Sequence, residues 1–255
     1  MSDLRETLEQ RIAALTPFAD LYKPEGDGPF PVVIQLHGCG GKKRFQDGWA
    51  EVAKAAGWAV LVVDSYAHRN ITTLQAYATV CTGLRLWGRE RAGDLYAALE
   101  WVRRQPWADT GRIAIAGWSH GGWTALDSMA LKPGAEAEAS TRLAGLPDEP
   151  LMGLAGAFLV YPFVGPGCIA RTRGIRFDVP VLGLVGTNDV VVGGRIVGRT
   201  LARLPTPARP IRVEFLEGAT HAFDEPSAND LRVRYDPALT EKAHGLYADF
   251  LMSLR

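Results

Sequence analysis

Short β-branched, apolar runs alternate along the chain with segments of helical spacing, and that alternation restricts the fold more than any other feature. P-V-V-I-Q-L (31–36), A-V-L-V-V-D (59–64), R-I-A-I-A (112–116), G-A-F-L-V-Y-P (156–162), V-P-V-L-G-L-V-G (179–186) and I-R-V-E-F-L (211–216) read as strands. Residues 45–56, 91–104, about 120–131 and 196–204 carry helical spacing between them, and 241–254 closes the chain as a helix. An amphipathic helix is expected ahead of the first strand. Strands this apolar must be covered on both faces, which predicts an α/β architecture: a mostly parallel central sheet flanked by helices on both sides. The polar stretch 132–150 is expected to run over the surface. No repeat, low-complexity tract or linker divides the 255 residues. A single domain is therefore expected over 1–255, with 1–29 as N-terminal helix and lead-in and 30–255 as the core.

Several function classes are excluded by composition. The 28 basic and 28 acidic residues cancel, so no electrostatic footprint for nucleic acid or an anionic membrane is present. No apolar run approaches the roughly 18 residues of a spanning helix, and the polar start M-S-D-L-R-E lacks the apolar core of a secretory signal. The three cysteines, Cys39, Cys81 and Cys168, form no C-x-x-C and leave an odd one over, which argues against a disulfide framework. A cytoplasmic protein is the resulting expectation. No G-x-G-x-x-G follows a strand, and no H-x-H, H-E-x-x-H or Cys/His cluster occurs, so neither a nicotinamide cofactor nor a metal is expected.

The chemistry concentrates at G-W-S-H-G-G (117–122), between the strand at 112–116 and the helix that follows. G-x-S-x-G in a strand–turn–helix context is the pattern of a nucleophile elbow: small flanking residues tolerate a strained turn that lifts the serine hydroxyl above the carboxyl edge of the sheet. The competing reading is a plain serine N-cap, which needs none of the glycines. Ser119 is therefore the candidate nucleophile, and it needs a base to take its proton.

In an elbow fold the acid and then the base follow the serine in the chain. Only His221 and His244 lie beyond Ser119, and only His221, in E-G-A-T-H-A-F-D-E-P, sits on a loop after a strand. His37 is expected to brace its loop, and the ring of His120 to point away from the hydroxyl. Asp189, in V-G-T-N-D, stands at the carboxyl end of its strand and is the candidate acid, with a turn or N-cap aspartate as its alternative role. Glu217 is the fallback, while Asp178 lies before the strand, at the opposite edge. Backbone donors for an oxyanion are expected from the amide of His120 and from the loop H-G-C-G-G (37–41), where Cys39 is preferred and Gly40 is the alternate. Cys39 itself reads as a small buried apolar residue rather than a reactive thiol. Trp118, Trp123, Tyr66, His68 and Arg69 are candidates for the pocket or its surroundings; core packing or a surface salt bridge accounts for them equally well.

With L-H-G-C-G-G, V-V-D-S-Y, R-x-x-D-L-Y-A-A-L, G-W-S-H-G-G, G-T-N-D and G-A-T-H-A-F-D-E-P in place, the chain resembles the dienelactone hydrolase family of α/β-hydrolases from about Phe30 onward. The resemblance implies the α/β-hydrolase fold and a cofactor-free hydrolase of small carboxylic esters or lactones working through an acyl-enzyme. This chain departs from the founding members in two respects. They carry a cysteine nucleophile where it has Ser119, and a Glu-containing loop where it has H-G-C-G-G. G-W-S-H-G-G is similar also to prolyl oligopeptidase-like peptidases, but only about thirty residues precede the first core strand. An acyltransferase and a non-catalytic binding protein on the hydrolase fold complete the alternatives.

Overall fold

The computed structural model describes residues 5–228 and 232–254. In chain order the elements are β1 (Glu6–Thr7), α1 (Leu8–Leu15), β2 (Asp20–Tyr22), β3 (Phe30–Leu36), α2 (Phe45–Ala55), β4 (Ala59–Val63), α3 (Thr73–Gln75), α4 (Gly88–Arg103) and β5 (Ala108–Trp118). The second half contributes α5 (His120–Ala130), α6 (Ala135–Thr141), β6 (Leu143–Ala144), β7 (Leu154–Val160), α7 (Ala170–Arg173), β8 (Val181–Gly186), α8 (Gly194–Leu201), β9 (Arg212–Leu216) and α9 (Pro237–Ser253). Seven strands form one sheet in the order β2-β4-β3-β5-β7-β8-β9. All neighbours are parallel except β2, which runs antiparallel to β4 at the edge.

Alternation along each strand sorts its side chains onto the two faces of the sheet. Val32, Ile34 and Leu36 of β3 pack with α1, α4 and α5 on one face, whereas Val33 joins Trp49 of α2 and Tyr247, Phe250 and Leu251 of α9 on the other. The strands are buried almost throughout, as their near-continuous apolar runs require.

Two sequence expectations need correction. Residues 132–150 do not merely cross the surface: α6 and β6 lie there, Ala137 and Leu143 are buried, and β6 pairs with β1 in a small second sheet. The pairing joins residues too far apart, and strands too short, to leave a periodic signal. The second correction concerns the cysteines. Cys39 and Cys81 form a disulfide across 42 residues, with Cα atoms 5.1 Å apart, and Cys168 alone is free. Cys39 is thus half-buried and bonded rather than a small packed thiol. Counting and spacing cannot show this proximity, because the fold creates it by bringing the helical segment 73–80 against the loop after β3.

Candidate active site

Ser119 sits between the end of β5 and the start of α5 with φ 51° and ψ −109°, outside the regions open to most L-residues. Close approach explains the neighbouring glycines. A Cβ on Gly121 would lie 2.0 Å from the carbonyl oxygen of Leu36, and one on Gly117 would lie 2.5 Å from the Gly121 backbone. The turn is anchored by the Ser119 amide, which donates to the Val160 carbonyl at 2.9 Å. The Ser119 hydroxyl makes no capping hydrogen bond to α5, which removes the N-cap reading. Trp118 and His120 on either side are buried while Ser119 is half-buried, so the turn presents the hydroxyl outward.

Two further loops converge on this hydroxyl. His221, in the loop after β9, places Nε2 3.0 Å from Ser119 Oγ. Its Nδ1 stands 2.8 Å from Asp189 Oδ2. The other carboxylate oxygen of Asp189 accepts from the amides of Val191 and Val192 at 2.9 and 3.1 Å. Asp189 therefore fills its turn role and the histidine contact at once, one oxygen for each. Because the carboxylate can only accept, it holds the proton on Nδ1 and leaves the Nε2 lone pair facing the serine. The ring is backed by Tyr161, 4.6 Å between centroids. Glu217 is elsewhere: it is exposed and pairs with Arg195 at 3.3 Å. Asp178 pairs with Arg209 at 2.8 Å.

The glycine loop after β3 passes directly over the turn, and a Cβ on Gly38 would lie 3.5 Å from the Cβ of Ser119. His37 braces this loop. Its Nε2 accepts from the Ser65 amide at 3.2 Å, so Nδ1 carries the proton and donates to the Gly38 carbonyl at 2.7 Å. Tyr66 donates its hydroxyl to the Cys39 carbonyl at 2.9 Å, and the disulfide ties the same residue to Cys81. The amide of His120 opens α5, where an N–H has no partner within the helix. His120 turns its ring away from the serine, onto Trp123 and toward Arg91. Burial and the charge of Arg91 push its pKa down to about 3, and the same two causes hold His37 well below the usual histidine range. Both rings are neutral.

The surrounding candidates divide. Trp118 is fully buried and donates to Asp224 at 3.0 Å, and Trp123 packs against Phe163 in the core. Arg69 pairs with Asp94 at 2.8 Å rather than facing the serine. His68 is half-buried, and burial lowers its pKa. Three residues not singled out from the sequence matter here: Arg91, Asp94 and Asp224, all fully or nearly fully buried. The motifs R-x-x-D and H-A-F-D contain them, but nothing in either motif tells a buried charge from a solvated one. Among the described residues no group of three or more His, Cys, Asp or Glu is arranged to hold a metal ion.

The sequence model of the dienelactone hydrolase family matches residues 19–254. The chain belongs to this family. The match begins ahead of Phe30 and takes in the edge strand β2. No curated protein matches the chain significantly. Solved structures similar to it include a dienelactone hydrolase from Anabaena variabilis, 23% identical with a TM-score of 0.59 over 92% of this chain and 90% of that one. Another is the dienelactone hydrolase-like promiscuous phosphotriesterase P91 from metagenomic libraries, 19% identical with a TM-score of 0.63 over 92% of each chain. A third is Thermogutta terrifontis esterase 2 phosphonylated by cyclosarin, 17% identical with a TM-score of 0.64 over 92% of this chain and 88% of that one. At these identities the likeness shows the α/β-hydrolase fold.

Proposed function

We propose that this member of the dienelactone hydrolase family is a single-domain serine hydrolase of small carboxylic esters or lactones, acting through an acyl-enzyme. The observation that carries the reading is the unbroken hydrogen-bonded line from Asp189 through His221 to Ser119, set on an outward-facing strained turn. In the first step Ser119 Oγ bonds to the substrate carbonyl carbon as its proton passes to His221 Nε2, and the carbonyl π pair moves onto oxygen. The amides of Cys39 and His120, with Gly40 as alternate, are the donors for that oxyanion. Collapse of the intermediate expels the alcohol, which takes the proton from His221. Water, activated by the same imidazole, then releases the acid. Asp189 keeps the imidazole in the productive tautomer and stabilises the imidazolium.

Ser119→Ala is expected to lower kcat for p-nitrophenyl acetate by about 10⁴-fold or more and to abolish labelling by a fluorophosphonate probe. An unlabelled wild-type protein would instead favour a non-catalytic binder. Across p-nitrophenyl esters of increasing chain length, short acyl groups are expected to turn over best; preference for long chains would overturn that part. Comparing hydrolysis with alcoholysis of one activated ester separates a hydrolase from an acyltransferase.

No helix among the described residues is long and apolar enough to cross a membrane. The Cys39–Cys81 bond favours an oxidising compartment over the cytoplasm expected from the sequence, since cytosolic thiol pools keep such pairs reduced. Alkylation of thiols at the moment of cell lysis decides between them: two blocked cysteines at 39 and 81 would restore the cytoplasmic address.

A further inference from the structure

Arg91, on α4, has no exposed surface. Its Nε donates to Ser65 Oγ at 2.8 Å, and its Nη1 donates to the His37 carbonyl at 2.6 Å and faces His120 Nδ1 at 3.2 Å. Its Nη2 is buried without an acceptor, and no carboxylate among the described residues pairs with it. Asp94, one turn along the same helix, is occupied: both its oxygens are taken by Arg11 and Arg69. A guanidinium stays protonated in proteins. The chain therefore keeps a full positive charge in its interior at a desolvation cost that packing alone would not require.

The location of that charge gives it a use. Arg91 touches three segments at once: the loop after β3 through His37, the loop after β4 through Ser65, and the start of α5 through His120. The first and third supply the amides proposed as oxyanion donors. The contact also acts one peptide further on, because His37 fixes the Gly38 carbonyl, which belongs to the same peptide group as the Cys39 N–H. We propose that Arg91 is a positioning residue of the oxyanion hole, clamping both donor segments from beneath and setting an unpaired positive charge below the site where negative charge forms. The inference rests on the serine-hydrolase reading above. Negative charge on the carbonyl oxygen is present in the transition state and largely absent in bound substrate, so the charge favours the former.

The test uses the full chain with Arg91→Met and Arg91→Lys, p-nitrophenyl acetate as substrate and a trifluoromethyl ketone as transition-state analogue. Arg91→Met is expected to lower kcat about 10²-fold, the order seen on losing one oxyanion donor, with KM within about threefold. Affinity for the ketone should fall in parallel with kcat/KM. Arg91→Lys, which keeps the charge, should recover most of the loss. Equal loss in both variants, a change confined to KM, or unchanged ketone affinity would overturn the proposal. If Arg91→Met does not fold, Arg91→Lys and Ser65→Ala decide: a several-fold fall in kcat at constant KM supports the clamp, and full activity in both overturns it. Wild-type protein that no fluorophosphonate labels would sink the serine reading itself. Labelled, active wild type with fully active Arg91 variants would sink this inference alone.

Discussion

Two buried aspartates on opposite faces of the sheet meet opposite fates. Asp94, on the face covered by α1, α4 and α5, accepts from Arg11 at 2.7 Å on Oδ1 alone and from Arg69 at 2.8 Å on both oxygens. Burial alone would raise its pKa, but the charges of Arg69 and Arg11 outweigh it and hold the carboxyl well below the usual range. Asp224, on the α2 and α9 face, is ringed by neutral donors only: Trp49 at 2.9 Å, Trp118 at 3.0 Å and Tyr161 at 2.6 Å. Three hydrogen bonds do not offset its burial, and its pKa is pushed up to about 6. Equal burial does not imply equal charge; a cationic partner decides. The positions differ in purpose as well. Asp94 joins the N-terminal helix and the loop after β4 to α4, whereas two of the three donors around Asp224 are Trp118, the neighbour of Ser119, and Tyr161, the ring that backs His221.

The strongest test of the contrast is Asp94→Asn, which takes the carboxylate from half-buried Arg69 and leaves buried Arg11 with Glu6 alone. Chemical denaturation is expected to show a loss of about 3–5 kcal/mol. A loss below about 1 kcal/mol would show that Arg11 and Arg69 find other partners, and the contrast would fail. Next comes Asp224→Asn compared with wild type across pH. The folded pKa of Asp224 lies above its unfolded value, so its ionised form costs stability, fully above about pH 6 and not at all below about pH 4. Removing the carboxylate should therefore destabilise more at pH 4 than at pH 8, by roughly 2.5 kcal/mol. The comparison must be between variant and wild type. Asp127, raised to about 6 chiefly by burial, titrates in the same direction, while the neutral buried His37 and His120 oppose it below their unfolded pKa. The smallest effect is expected from Tyr161→Phe, which removes one hydrogen bond to a charged group: about 1.5–2 kcal/mol at pH 8, and less at pH 5, where Asp224 is protonated. A pH-independent loss would mean that the tyrosine contributes packing alone.

These charge pairings lay beyond the reach of the sequence, although the elements that carry them did not. Helix α4 was legible over 91–104, and it begins only three residues earlier, at Gly88. Strand β5 was legible at its apolar core, 112–116, and extends to Ala108–Trp118 because pairing with β3 and β7 continues past the apolar run. Helix α9 starts at Pro237, ahead of 241, because Asp236 caps it by accepting from the Leu239 amide. The place of Asp189 after β8 is legible in the sequence, whereas its simultaneous bonds to His221 and to the turn amides are seen only in the structure. Cys39 shows the limit most plainly. Its glycine-rich loop after β3 could be read from the sequence, whereas its bond to Cys81 could not.

What the sequence determined by itself was local: the order of strands and helices, the strained serine turn, and which histidine and carboxylate end on loops at one edge of the sheet. Periodicity and glycine placement act between near neighbours, so they are written where they act. Tertiary structure alone decided which buried charges are compensated, which cysteines meet, and what braces the loop above Ser119. Those outcomes depend on distances between residues tens of positions apart, and burial turns such distances into large electrostatic differences that no single segment encodes.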